Sequence, residues 1–123
     1  MKKVEFPLSL TAIGNNAFYG DAELEELRLE GVITIGDNAF LGCTNLQKIW
    51  LPKTLTSIGS KVFNGCSLTR VSCETDILPN INPAVFSSYN IAYLFVPRGT
   101  DYNLEGWSKF ARVYEGKYIG EST

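Results

Sequence analysis

The sequence predicts a single-domain solenoid in which successive coils stack along one axis, each adding a short strand to a parallel sheet. Three observations carry that prediction. The dipeptide Ile-Gly stands at Ile13-Gly14, Ile35-Gly36 and Ile58-Gly59, with Ile81-Asn82 one step on, at intervals of 22, 23 and 23 residues. A small or branched residue followed by Phe keeps the same intervals at Ala17-Phe18, Ala39-Phe40, Val62-Phe63 and Val85-Phe86. After each Phe turn comes a pattern of Leu-x-x-Ile-x-Leu-Pro type, complete at Leu46, Ile49, Leu51 and Pro52. One coil has too little chain to cover its own inward side chains, so neighbours must stack on them. A period of this length lies within the ~20–29 residues of leucine-rich repeats, and the predicted fold is a right-handed leucine-rich-repeat solenoid with strands on one face and helical turns and loops on the other.

The elements follow in order. Val4, Phe6 and Pro7 match Ile49, Leu51 and Pro52 at a distance of 45 residues, two coils, so residues 4–7 are a strand of the array. Within a coil, Ile49-Trp50-Leu51 alternates inward, outward, inward as a half-buried strand does, and Pro52 stops the ladder. The counterparts are Leu24, Leu27 and Leu29; Leu68, Val71 and Cys73; and Ile91, Leu94, Val96 and Pro97. Leu10, Val32, Leu55 and Leu78, three residues before each Ile, return to the core on the opposite wall. The glycine after each Ile, replaced by Asn82 in the fourth coil, is expected to hold a left-handed backbone. A short helical turn comes next, with Asn82 as cap and Pro83 at its first position. Its inward rings, Phe18, Phe40, Phe63 and Phe86, are expected to form a ladder. The array is expected to span residues 1–97, about four coils and an N-terminal half coil. Residues 98–123 break the period and read as a cap and tail, with Trp107, Phe110, Val113 and Tyr114 covering the last coil.

Composition narrows the function. The chain has 123 residues, 45% of them hydrophobic and 20% charged, and a net charge of −2, so no overall basic field draws in nucleic acid. It contains no histidine, which removes the commonest general base and the usual zinc nitrogen ligand. Ser and Thr are present without a base beside them in any motif, and the glycines follow the repeat instead of forming a phosphate loop. An enzyme is not expected, and neither is a cofactor. Glu23, Glu25 and Glu26 lack the alternating oxygen ligands of a calcium loop, so no metal is expected there. Cys43 and Cys66 occupy equivalent places in adjacent coils, ~5 Å apart and within disulfide reach, but are expected to be packed thiols. Cys73 replaces an inward Leu and reads as core filling. No apolar run approaches the ~20 residues of a membrane span, and no signal peptide or anchor is evident.

The register places Glu5, Arg28, Trp50, Ser72 and Phe95 in one outward row, with Lys3, Glu26, Lys48, Arg70 and Tyr93 in the row beside it. Solenoids commonly bind partners on this sheet face. An outward Trp50 beside Arg28, Lys48 and Arg70 has the composition of an interface hot spot, with Tyr93 and Phe95 as further candidates. On this reading Trp50 contributes far less to stability than an inward ring such as Phe40, and the charges facing Glu26 are solvated pairs. The expected partner is a protein, with a glycan second. The alternative is a spacer or stalk fragment of a longer surface protein with no ligand of its own.

A coil running Cys43, Leu46, Ile49, Leu51, Pro52, Leu55, Ile58, Gly59, Val62-Phe63, Cys66 resembles the BspA-like, or Treponema-type, leucine-rich repeats, and the resemblance covers about residues 4–97. The stretch Leu94-Phe95-Val96-Pro97-Arg98-Gly99-Thr100 with Glu105-Gly106-Trp107 and Phe110 looks like the usual end of such arrays in bacterial proteins. The resemblance implies a cell-surface or secreted, adhesion-associated binding module without shared catalytic residues. The chain is expected to be a monomer, or a weak dimer through its N-terminal coil.

Overall fold

The computed structural model describes residues 2–116. In chain order its strands are β1 (Lys2–Glu5), β2 (Ala12–Ile13), β3 (Leu24–Arg28), β4 (Thr34–Ile35), β5 (Lys48–Leu51), β6 (Ser57–Ile58), β7 (Arg70–Cys73), β8 (Tyr93–Val96) and β9 (Arg112–Glu115), with 3-10 helices at Pro83–Val85 and Trp107–Lys109. The longer strands form one parallel sheet in the order β1-β3-β5-β7-β8-β9, and β2-β4-β6 form a second. The chain makes about five turns, one between each pair of neighbouring strands of the large sheet, and in the first three of them it also contributes a strand to the small sheet.

The core lies between the two walls. Leu24, Leu27 and Leu29 of one coil, Leu46, Ile49 and Leu51 of the next, and Leu68 and Val71 after them are fully buried from the large sheet. Ile13, Ile35, Ile58 and Ile81 face them from the other side. The predicted phenylalanine ladder is present. Ring centroids are 5.2 Å apart for Phe18 and Phe40, 5.6 Å for Phe40 and Phe63, and 5.5 Å for Phe63 and Phe86, with planes within 13° of parallel. Each stacked pair adds ~0.5–1.5 kcal/mol beyond its area burial. Phe6 tilts against Phe18 at 5.7 Å at one end, while Phe86 meets Trp107 at 5.6 Å and Phe110 at 5.1 Å at the other.

Turns are tied to the adjacent coil by side-chain hydrogen bonds. Asn15 Oδ1 accepts the Asp37 N–H at 2.8 Å, and Asp37 Oδ1 accepts the Ser60 N–H at 2.9 Å. Asn45 Nδ2 donates to the Ala22 carbonyl and the Ser67 hydroxyl to that of Thr44. Asn82 caps the fourth-coil helix as predicted, its Oδ1 accepting the Ala84 N–H at 2.8 Å, whereas the first three coils make turns at that place instead of helices.

Three further expectations need correction. The glycines after each Ile are not left-handed, and Asn82 has φ −76°. Positive φ falls instead at Asn16, Asn38 and Lys61, and at Gly20, Gly42 and Gly65, two residues after Phe18, Phe40 and Phe63. Gly36 and Gly59 answer a different need. A Cβ on Gly36 would stand 2.6 Å from the Asn15 backbone nitrogen, and one on Gly59 2.7 Å from that of Asp37. Gly14, with no coil against it, has nothing within 4 Å.

Ile91, expected to face inward, is 63% exposed, and Ala92 is buried in its stead. Tyr89 stands where earlier coils have cysteine; its ring fills the interior against Phe86 and Phe110, and its hydroxyl donates to the Pro83 carbonyl at 2.8 Å. The small sheet stops at β6, where Pro79 enters the next coil and its carbonyl accepts the Trp107 indole N–H at 2.7 Å.

The segment after residue 97 is more than a cap. Trp107 and Phe110 are buried on the last coil as expected, but Arg112–Glu115 also adds a sixth strand, pairing Leu94 with Val113 and Phe95 with Tyr114. This coil spans 19 residues from Leu94 to Val113, so it falls out of phase with the repeat while still satisfying the open edge of β8. Residues 117–123 of the expected tail lie outside the described residues.

Close approach, not backbone handedness, therefore sets the glycine requirement. Gly36→Ala and Gly59→Ala should each cost about 1–3 kcal/mol in chemical denaturation, the range for overpacking. Gly14→Ala should stay within about 0.5 kcal/mol of wild type; an equal loss at all three positions would restore the left-handed explanation.

Candidate partner-binding face

The strand register assembles the outward rows as the sequence implied. One runs Glu5, Arg28, Trp50, Ser72, Phe95, and continues to Tyr114. The other runs Lys3, Glu26, Lys48, Arg70, Tyr93, and continues to Arg112. All six predicted site residues, Arg28, Lys48, Trp50, Arg70, Tyr93 and Phe95, share this face. Arg112 and Tyr114 were missed because β9 is out of phase. Their signal is local, since Arg112-Val113-Tyr114 repeats the basic, apolar, aromatic order of Lys48-Ile49-Trp50.

Exposure is where the prediction fails. Trp50 points outward yet is only 9% exposed, and the Arg28 guanidinium carbon lies 4.3 Å from the centroid of its ring. Phe95 is 5% exposed beneath Tyr114, stacked at 5.3 Å, with Arg70 at 5.4 Å. The reason is geometric: parallel strands stand ~4.8 Å apart, so a large outward side chain lies across its neighbours and is covered by them. Tyr93 and Tyr114 remain exposed, Tyr114 at 52%, and Arg112 sits 5.2 Å from the Tyr93 ring. Ser72, between Trp50 and Phe95, is buried, and its hydroxyl has no hydrogen-bond partner among the described residues.

At the N-terminal half of the face the charges pair across strands. Lys3 Nζ is 3.7 Å from Glu26 Oε1, Lys48 Nζ is 4.0 Å from Glu26 Oε2, and Arg28 Nε is 3.6 Å from Glu5 Oε2. Such pairs at a surface are each worth less than ~1 kcal/mol, so they orient side chains more than they hold the fold. Around Trp50, the residues Lys3, Glu5, Glu26, Arg28, Lys48 and Arg70 border an open depression of about 430 Å³.

The thiols lie elsewhere. Cys43, Cys66 and Cys73 are free and buried. The Cys43 Sγ–H donates to the Phe18 carbonyl at 3.1 Å and that of Cys66 to the Phe40 carbonyl at 3.3 Å, one more inter-coil tie. Burial raises all three above the ordinary value of 9.0, Cys66 to about 12. Protonated thiols of this kind are poor nucleophiles and poor metal ligands. Among the described residues no group of three or more Cys, Asp or Glu could hold a metal ion, and no helix is long and apolar enough to cross a membrane.

Coil, ladder and open sheet face together define a leucine-rich-repeat solenoid. A family model described as a BspA type leucine rich repeat region matches six copies over residues 1–92, and the chain belongs to that family. No curated protein and no solved structure matches the chain. Leucine-rich-repeat proteins are generally non-catalytic interaction modules, and this type is commonly surface-associated.

Two consequences are measurable. Because Trp50 is covered, Trp50→Ala should cost about 2–4 kcal/mol, approaching the loss for an inward ring, as read by denaturant midpoint. The thiols remain protonated in the folded chain while they ionise near pH 9.0 in the unfolded one, so the unfolded state binds fewer protons above that point. Stability should thus be constant with respect to these groups below pH 9.0 and fall as pH rises from there toward about 12. A Cys43→Ala, Cys66→Ala, Cys73→Ala variant should lose that alkaline slope.

Proposed function

We propose that this chain is a non-catalytic adhesin-type binding module that engages a protein partner through the outward face of its large sheet, at the surface of a bacterial cell. The observation that carries this reading is the concentration of arginine and aromatic side chains on one continuous face of six strands, with Arg28 on Trp50, Arg70 on Phe95 and Arg112 beside Tyr93. Trp, Tyr and Arg are the residues that carry most binding energy in protein interfaces. Rings already held by neighbours lose little conformational entropy when a partner docks, which favours binding by preorganisation. Family membership adds the interaction role and the surface setting.

The test is surface plasmon resonance of the chain over immobilised extracellular matrix proteins. Arg70→Gln with Tyr93→Ala should weaken capture about tenfold or more, the loss of one to two hot-spot contacts. Thr34→Gln with Ser57→Gln, on the opposite wall, should leave it unchanged. Equal effects from both walls, or no capture by the wild type, would refute the reading.

A further inference from the structure

The charge on this molecule is divided between its faces. Lys3, Arg28, Lys48, Arg70 and Arg112 stand on the two outward rows against Glu5 and Glu26, an excess of three positive charges on those rows, with Glu30 and Glu74 at their edge beside Arg28 and Trp50, whereas the chain as a whole carries −2. The remainder of the molecule therefore carries −5. Both carboxylates of the two rows are already engaged, Glu26 by two lysines and Glu5 by Arg28. A face of this sign steers negatively charged partners and repels positive ones.

The arginines add spacing to sign. Arg28 lies on β3, Arg70 on β7 and Arg112 on β9, so each is two strands from the next in sheet order. With strands ~4.8 Å apart, that places a guanidinium every ~10 Å along the solenoid axis. Each lies over or beside an aromatic ring, at 4.3, 5.4 and 5.2 Å. A guanidinium resting on a ring keeps its N–H donors in its own plane, the geometry that forks a carboxylate. A polyproline II segment advances 3.1 Å per residue with three residues per turn, about 9.3 Å between side chains on the same side. The two repeats nearly coincide.

Taking the outward sheet face as the binding surface, as argued above, we infer that its partner is an extended acidic polypeptide segment that crosses the strands with a carboxylate at every third residue, one for each of Arg28, Arg70 and Arg112. Tyr93 and Tyr114, exposed between these positions, supply apolar contact for the intervening residues.

Fluorescence anisotropy with labelled peptides tests this on the whole chain. One peptide carries Glu at every third residue in a Pro, Ala and Ser background, a second has Gln in those places, and a third has the same Glu residues in one block. The spaced Glu peptide should bind, weaken with added salt, and exceed the Gln and block peptides by about tenfold. The triple variant Arg28→Gln, Arg70→Gln, Arg112→Gln should abolish its binding. Should that variant fail to fold by circular dichroism, Arg70→Lys serves instead; it keeps the charge, loses the planar fork, and should weaken the spaced peptide several-fold. Equal binding of Glu and Gln peptides, both lost in the Arg variants, would overturn the acidic partner while leaving the face intact. Spaced-peptide binding that survives the Arg variants would overturn the face itself. Preference for the block peptide, tighter binding of a heparin hexasaccharide, or no binding of any peptide would each overturn the inference.

Discussion

Everything in this molecule depends on neighbouring coils approaching to a single strand spacing along their whole circumference. No coil has an interior of its own; Leu27, Ile49, Val71 and Leu94 are buried because another coil lies on each side of them. Hydrophobic burial drives the stack, at roughly 1.5–3 kcal/mol for a fully covered large side chain, and the backbone must then permit the distance that burial demands. Gly31, Gly36 and Gly59 are places where it can do so only without a Cβ, each standing against the backbone of the preceding coil. The phenylalanine ladder, the Asn15 and Asp37 bonds to the next coil, and the thiol bonds to carbonyls of the preceding one all operate at that same repeat.

Ends are the weak points of such a stack, and the two ends are closed differently. At the C-terminal side the interior is finished by large rings: Tyr89, Trp107 and Phe110 gather on Phe86, and the indole N–H finds the Pro79 carbonyl. The sheet, by contrast, is extended by β9 from a coil of different length. At the N-terminal side Phe6 leans on Phe18, which stays half-buried. The spacing that builds the core also shapes the outer surface. Outward residues ~4.8 Å apart have no room to stand as separate side chains, so arginines settle on rings and rings on rings. The result is a preassembled surface where isolated exposed side chains would otherwise stand.

How far this could be read from the chain differs by feature. The strands of the large sheet from β1 to β8, the inward and outward alternation, the phenylalanine file and both outward rows follow from residues that recur in phase, as Phe18 does with Phe40 and Ile49 with Leu27, whereas the second sheet β2-β4-β6 formed where loops were expected. Residues out of phase were legible only in part. Trp107 and Phe110 announce a cap by their size, but nothing in the repeat marks Val113 as a strand residue, because pairing requires only an extended segment and an open edge. Ile91 copies the inward Leu of earlier coils in its spacing, and is turned out because the Tyr89 ring occupies the interior.

The order of side chains along each coil determined which residues face in and which face out, since period and alternation are properties of the chain itself. Tertiary structure alone decided how much of each outward residue meets solvent and why particular glycines are required. Trp50 is covered by Arg28, and Gly36 is crowded by Asn15, across distances of 22 and 21 residues. Such contacts exist only once the coils are stacked, because the volume left beside a residue is set by its spatial neighbours and not by those adjacent to it in sequence.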